Sequence, residues 1–177
     1  MTAPWTIPIS AATLAVATLI PSAGSAQSLI GSEALSPAAG RPLGVQNADP
    51  RLERNKRVVL AFYDLMFNQS RPSEAIRLYS GATYTQHNPE VPDGKEAFIA
   101  FFEKMAKDFP GKSVEFKRVF AEGDFVTLHS EHKFPGWRGG SWAAMDIFRL
   151  DGDGKIVEHW DVLQKVPSQS AHSNGMF

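Results

Sequence analysis

The chain has 177 residues, 43% hydrophobic and 21% charged, with 18 basic against 19 acidic side chains and a formal net charge of −1. That is the size and balance of one soluble domain, and no basic patch or tail marks it for nucleic acid. It contains no cysteine, which excludes disulfides, thiol nucleophiles, cysteine-ligated zinc and a lipoprotein anchor.

Residues 1–26 carry no charged side chain. The run from Ile7 to Ile20 is largely apolar but short for a bilayer span. Small residues follow at Gly24 and Ala26. The pattern predicts a signal peptide over 1–26, cut after Ala26, and a periplasmic or secreted product with no membrane segment after processing. The alternative is a cytoplasmic protein with an unstructured amino terminus. Residues 27–48, rich in Ser, Ala, Gly and Pro without periodicity, read as a flexible linker. A single domain is expected over 49–167, followed by a tail at 168–177.

Asp49-Pro50 supplies an N-cap and a proline at the first helical position. The helix it opens is predicted to reach about Asn68, with Val58, Val59, Phe62, Leu65 and Met66 facing the core. A short second helix starts at Pro72. Ala82 to Asn88 reads as a strand stopped by Pro89. Asp93-Gly94-Lys95-Glu96 has the spacing of a capping box. The third helix follows, packs Phe98, Ile99, Phe101, Phe102 and Met105, and ends by Pro110-Gly111. From there the chain reads as strands: Ser113 to Ala121, Asp124 to Phe134, then a hairpin. Helices first and an antiparallel meander after them predict an α+β fold with helices on one sheet face.

The hairpin carries the chemistry. Trp142 to Leu150 and Lys155 to Leu163 are rich in aromatic and β-branched residues, and Asp151-Gly152-Asp153-Gly154 joins them. Pairing Leu150 with Lys155 would set Asp146 opposite His159 and Ala144 opposite Asp161. By alternation Asp146, His159 and Asp161 share one face. Two carboxylates and an imidazole on a buried face are costly without purpose, so they point to a lined pocket. Phe148, Val157 and Leu163 join that face. Met145, Ile147, Ile156, Trp160 and Val162 point the other way, an apolar surface expected to pack a homodimer sheet on sheet around Trp160, unless the tail covers it. Tyr84, Gln86 and Asn88 alternate on one face of their strand with His87 on the other; a bulge before Pro89 would reverse them.

The blocks Tyr84-Thr85-Gln86-His87-Asn88-Pro89, Asp93-Gly94-Lys95-Glu96, Asp146-Ile147-Phe148-Arg149 and Asp153 to Asp161 together resemble the SnoaL-like group of the nuclear transport factor 2-like superfamily. Polyketide cyclases founded that group. The terminal Asn174-Gly175-Met176-Phe177 resembles a branch described as candidates for aldol condensation. The resemblance implies a cone-shaped roll, about three N-terminal helices on a curved, mostly antiparallel sheet.

It also implies a role for Asp161 as the acid–base carboxylate of a cofactor-independent lyase or isomerase acting on a small hydrophobic carbonyl compound. His159 would serve as donor or relay. Asp146 stands where the cyclases carry a pocket histidine, and Ala144 where they carry a polar amide. Asn88-Pro89 resembles the Asp-Pro of ketosteroid isomerases with an amide in place of the acid, leaving Gln86 and Asn88 to orient a carbonyl. Tyr63 resembles the placement of those isomerases' oxyanion-hole tyrosine. The plainer reading makes Tyr63 a core aromatic with its hydroxyl at the surface. His87 and Tyr84 complete the candidate contacts. No cofactor and no metal are expected: His129 and His132, three apart on a strand, fall on opposite faces, and the Asp-Gly-Asp-Gly turn lacks the later ligands of a calcium loop. The rival reading is a non-catalytic ligand-binding or assembly module of the same fold.

Overall fold

The structure, a computed structural model, describes residues 35–177 apart from 41, 45 and 138. The expected signal peptide lies outside the described residues. Asp49 caps α1 (Pro50–Tyr63) by accepting the Arg51 N–H at 2.8 Å. The helix runs on into a wider π-type turn over Asp64–Asn68. Next come α2 (Pro72–Tyr79), β1 (Ser80–Gln86), α3 (Lys95–Asp108), β2 (Ser113–Glu122), β3 (Phe125–Lys133), β4 (Ser141–Leu150) and β5 (Ile156–Lys165). The sheet order is β1-β5-β4-β3-β2, antiparallel except for the parallel β1–β5 pair. The three helices pack on one face of this sheet, and Val58, Phe62, Met66, Phe98, Phe116, Leu128 and Phe148 close a single core between them. No helix among the described residues is long and apolar enough to cross a membrane.

Part of the stretch read as linker is seated on the domain. Ala39 is fully buried, and Leu43 exchanges backbone hydrogen bonds with Lys117 and Val119 at 2.9 and 2.8 Å. Ser36 holds the buried Asp64 carboxylate through its backbone N–H at 3.0 Å and its hydroxyl at 2.5 Å. Asn68 and Gln69 donate to the same carboxylate at 2.8 Å each, and Asn68 also bonds the Val114 backbone at both ends. Burial alone would push the Asp64 carboxyl up, but these donors outweigh it and hold the group below the ordinary range. The π-type turn thus ties the lead-in to β2.

Two local expectations are corrected. The capping box does not form: Gly94 is the N-cap of α3 with no side-chain bond, because the Asp93 carboxylate accepts the Gln86 N–H at 2.9 Å. The hairpin register differs by a bulge. Leu150 pairs with Ile156 and Arg149 with Glu158, leaving Val157 without an opposite residue. Asp146 therefore faces Asp161, Phe148 faces His159, and Ala144 faces Leu163. The extra residue also reverses the parity at the turn, so Ile156 sits in the core rather than on the outer face. Beyond the bulge the assignment of faces stands.

Candidate active site

Between the helices and the sheet lies a cavity of about 590 Å³ of empty space counted out to its mouth, of which only about 50 Å³ admits the centre of a water molecule. It is a narrow slot. Its apolar wall comes mainly from the π-type turn, through Met66, and from α3, through Phe98, Phe102 and Met105, with Phe134 and Leu163 from the sheet side. Its polar wall comes from alternate positions of β1, β3, β4 and β5.

At the inner end Tyr63, Asp146 and His159 form one buried group. The Tyr63 hydroxyl lies 2.7 Å from Asp146 Oδ1 and 2.9 Å from His159 Nε2, and Nε2 lies 3.3 Å from the same Oδ1. The protons can be placed by elimination. Gln86 Oε1 accepts the Asn88 backbone N–H at 2.9 Å, so it is an acceptor, and His159 Nδ1 at 3.0 Å from it must carry a proton. Tyr63 has one proton for two close neighbours. Satisfying both needs a second proton, held either on His159 Nε2 as imidazolium beside aspartate or on Asp146 beside neutral imidazole. The two arrangements hold the same number of protons and differ by a short transfer. Burial first, then the neighbouring Asp146 and Asp161 charges, drives the Tyr63 phenol well above its usual range, so it stays protonated as a donor.

Asp161 stands apart from this group. Its two oxygens accept the Asn88 amide at 2.7 and 2.9 Å, and it is half-buried where the slot opens. Burial raises its pKa; the Asn88 hydrogen bond and His159 oppose this, while the Asp146 charge adds to it. Asn88 is itself fixed through Gln86. The chain Asp161–Asn88–Gln86–His159 thus links a carboxylate of raised pKa to the buried Tyr63–His159–Asp146 group along one slot.

The structure places most of the expected residues together: Asp161, His159, Asp146, Gln86, Asn88, Tyr84 and Tyr63 all line the slot. Three readings are corrected. The Tyr63 hydroxyl is at the centre of the buried group, not at the surface, because the first-helix stripe points it straight at β4 and β5. His87 is exposed on the outer face, stacked on Trp160 at 4.7 Å and bonded to Glu158 at 2.9 Å. Ala144 is buried but does not line the slot. His129 and His132 do fall on opposite faces; His129 meets Arg118 at 3.0 Å.

His132 completes the polar wall, with Ser130 bonded to it from behind, and neither was read as a site residue. Ser130 Oγ lies 3.2 Å from Asp146 Oδ2 and 3.0 Å from His132 Nε2. The signal was available: Val126, Leu128, Ser130, His132 and Phe134 are the inward alternation of one strand, and two of them are polar. Among the described residues, Asp146, His159 and Asp161 are a group that could hold a metal ion, with ligand atoms within 4.8 Å of one another. Tyr63 already occupies both Asp146 Oδ1 and His159 Nε2, so a metal would have to displace its hydroxyl.

A curved sheet with helices in its concavity and a polar-ended slot between them defines the nuclear transport factor 2-like class of small-molecule-binding folds. Within it, the chain belongs to the SnoaL-like domain family, whose sequence profile matches residues 59–159. Solved structures agree in fold. A proposed polyketide cyclase from Bacillus cereus ATCC 10987 superposes with a TM-score of 0.59 at 21% identity, covering 73% of this chain and 90% of that one. A proposed SnoaL-like polyketide cyclase from Jannaschia sp. CCS1 gives 0.55 at 22%, covering 67% and 91%. An LEH-like epoxide hydrolase from M. tuberculosis gives 0.56 at 19%, covering 65% and 86%. A comparison with curated protein sequences found no match. The family profile and these structures agree on the fold.

Proposed function

We propose that the chain is a lyase or isomerase of the aldol-condensation or cyclase type, acting on a small hydrophobic carbonyl compound. One observation carries this reading: Asp161, a carboxylate with a raised pKa, borders an apolar slot and is held only by the Asn88 amide among the described residues. Asp161 takes the proton next to the carbonyl. The electron pair moves onto the carbonyl oxygen, and the Tyr63–His159 pair meets the enolate with the proton it holds. After the carbon–carbon bond forms or the double bond shifts, Asp161 returns its proton and the group is reset. The rival reading of a non-catalytic binder predicts that Asp146, Asp161 and His159 satisfy one another with no cavity beyond. Asp146 and His159 do bond each other, but Asp161 bonds Asn88 and lines the cavity, which favours the enzyme reading.

The test needs no natural substrate. Acetophenone in deuterated buffer reports α-proton exchange by NMR. The wild type is expected to exchange it faster than buffer, and Asp161→Asn to lose about 10²–10⁴-fold of that rate. Equal rates in the two proteins overturn the reading.

We further propose that the mature chain begins at Gln27 as a periplasmic or secreted protein and works as a homodimer. The apolar outer face of β4 and β5 supports the second statement, with Met145, Ile147 and Val162 exposed.

A further inference from the structure

Two buried side-chain polar atoms among the described residues have no hydrogen-bond partner: the Tyr84 hydroxyl and His132 Nδ1. Both residues line the slot, and they are only 4% and 2% exposed. Buried polar groups are almost always hydrogen-bonded, so a pair of unpaired ones on one cavity wall needs an explanation. Their hydrogen-bonding sense can be worked out. Ser130 has one O–H, which Asp146 Oδ2 draws at 3.2 Å, so His132 Nε2 donates to Ser130 Oγ at 3.0 Å. Burial first of all keeps the His132 ring neutral, with the Asp146 charge opposing and His159 reinforcing it. Nδ1 is then a bare acceptor. Tyr84 is a protonated donor: burial first, then the Asp161 and Asp146 charges, raise its pKa well above the usual range, and the Gln86 side chain opposes them from nearby without reaching hydrogen-bond geometry.

The two are joined by aromatic rings in an arc: Tyr84 to Phe98 at 4.9 Å, Phe98 to Phe102 at 4.5 Å, Phe102 to Phe67 at 5.6 Å, and Phe67 to His132 at 4.8 Å between centroids. An apolar, flat frame fits such an arc. Met66 and Met105 stand in the same wall, side chains that repack readily around a ligand.

We propose that Tyr84 and His132 are ligand anchors of defined sense, the phenol donating to a carbonyl and imidazole Nδ1 accepting from a hydroxyl, so that the compound taken up is a flat hydroxy-carbonyl molecule. The proposal rests on the reading of the slot as the substrate site and adds to it the placement of the substrate's second polar group.

The test is a matched series measured by calorimetric titration: ethylbenzene, acetophenone and para-hydroxyacetophenone. In the wild type the carbonyl is expected to add about tenfold in affinity and the hydroxyl about tenfold more. Tyr84→Phe should remove the first gain and keep the second. His132→Phe should do the reverse. Ligand-free Tyr84→Phe should melt no lower than the wild type, since no internal bond is lost; a clear drop in Tm means the hydroxyl has an internal partner and overturns its role. If His132→Phe does not fold, the imidazole ¹⁵N spectrum of the wild type decides: Nδ1 should move on adding para-hydroxyacetophenone and stay on adding acetophenone. Absence of both affinity gains in the wild type, or their survival in the variants, overturns the proposal. Asp161→Asn separates it from the catalytic reading: the gains persist in that variant if the anchors are right, whether or not proton exchange depended on Asp161.

Discussion

Asp146 and Asp161 stand directly opposite each other across the β4–β5 pair, yet they are held by different partners. Asp146 is bonded by Tyr63, His159 and Ser130, and Asp161 by Asn88. Like charges on adjacent strands repel. Here three donors are gathered on Asp146, while Asp161 is left with the Asn88 amide as its bonded partner among the described residues.

That division sets a pH dependence. The folded pKa of Asp161 is raised, first by burial. The base form therefore accumulates only as pH rises through that raised value, and proton exchange should show an acid limb above the ordinary carboxylate range. Asn88→Leu removes the hydrogen bond that opposes burial, so its acid limb should move to higher pH. The stability sign runs the other way. A carboxylate with a raised folded pKa makes the fold less stable as pH climbs past its unfolded value. Asp161→Asn should therefore melt higher than the wild type at pH 7, and the difference should vanish near pH 3.

Asp64 is the opposite case. Its folded pKa is lowered by four hydrogen bonds from Ser36, Asn68 and Gln69 that outweigh burial. Its contribution is full above the unfolded carboxylate pKa and is lost as pH falls through the lowered folded value. Asp64→Ala should cost about 2–4 kcal/mol at neutral pH in chemical denaturation. Ser36→Ala should cost less, about 1 kcal/mol. No effect of either substitution would mean that the lead-in is not fastened to the domain through this carboxylate.

Lys112 gives a third pH signature. It is 3% exposed, and its Nζ bonds the Phe67 carbonyl at 3.2 Å and Ser70 Oγ at 2.6 Å, with no carboxylate beside it. Burial lowers its pKa to about 8. Between that value and the ordinary lysine pKa the unfolded chain binds a proton that the folded chain does not, so stability should rise with pH across the interval. The gain is about 1–3 kcal/mol. Lys112→Met should flatten the rise. A stability curve of the wild type that is level from pH 8 to 10 would contradict the assignment.

The fold was legible because its signals are local and redundant. Asp49-Pro50 fixes the start of α1, and inward alternation along β3 and β4 marks the core face. The co-facial set of Asp146, His159 and Asp161 followed from alternation alone. What alternation could not supply was the bulge at Val157, since an unpaired residue leaves no mark in the composition of either strand. Past the bulge it shifted each cross-strand partner by two while keeping the faces, and at the turn it moved Ile156 to the core face. Tyr63 was ambiguous for another reason: a helical stripe tells which side an aromatic packs on, but not whether its hydroxyl ends at the surface or against another strand. The Asp93 capping box failed because a carboxylate next to a strand end has a competing donor in the Gln86 N–H.

The outer face of the hairpin carries the final prediction. Met145, Ile147 and Val162 are 44%, 41% and 70% exposed, and Phe120 and Phe125 beside them are 46% and 44% exposed. Trp160 lies among them, stacked on His87 with ring planes 5° apart and 6.5 Å from Phe125. The tail borders this surface: Phe177 stacks at 5.8 Å on His129, the cross-strand neighbour of Met145, and lies under Lys117 Nζ at 5.0 Å. The β4–β5 side is left as a contiguous apolar surface, of the kind that marks a contact between molecules. A second copy using the same patch closes it by twofold symmetry, with the flat, rigid Trp160–His87 stack as an anchor. The wild type is therefore expected to run as a dimer in light scattering at micromolar concentration, and Trp160→Glu as a monomer. Removing residues 168–177 should leave the dimer intact, because the tail only borders the patch and leaves Met145, Ile147 and Val162 exposed. A wild type that is monomeric at that concentration ends the interface proposal. A dimer that falls apart only on loss of the tail would move the contact to the Phe177 side of the sheet.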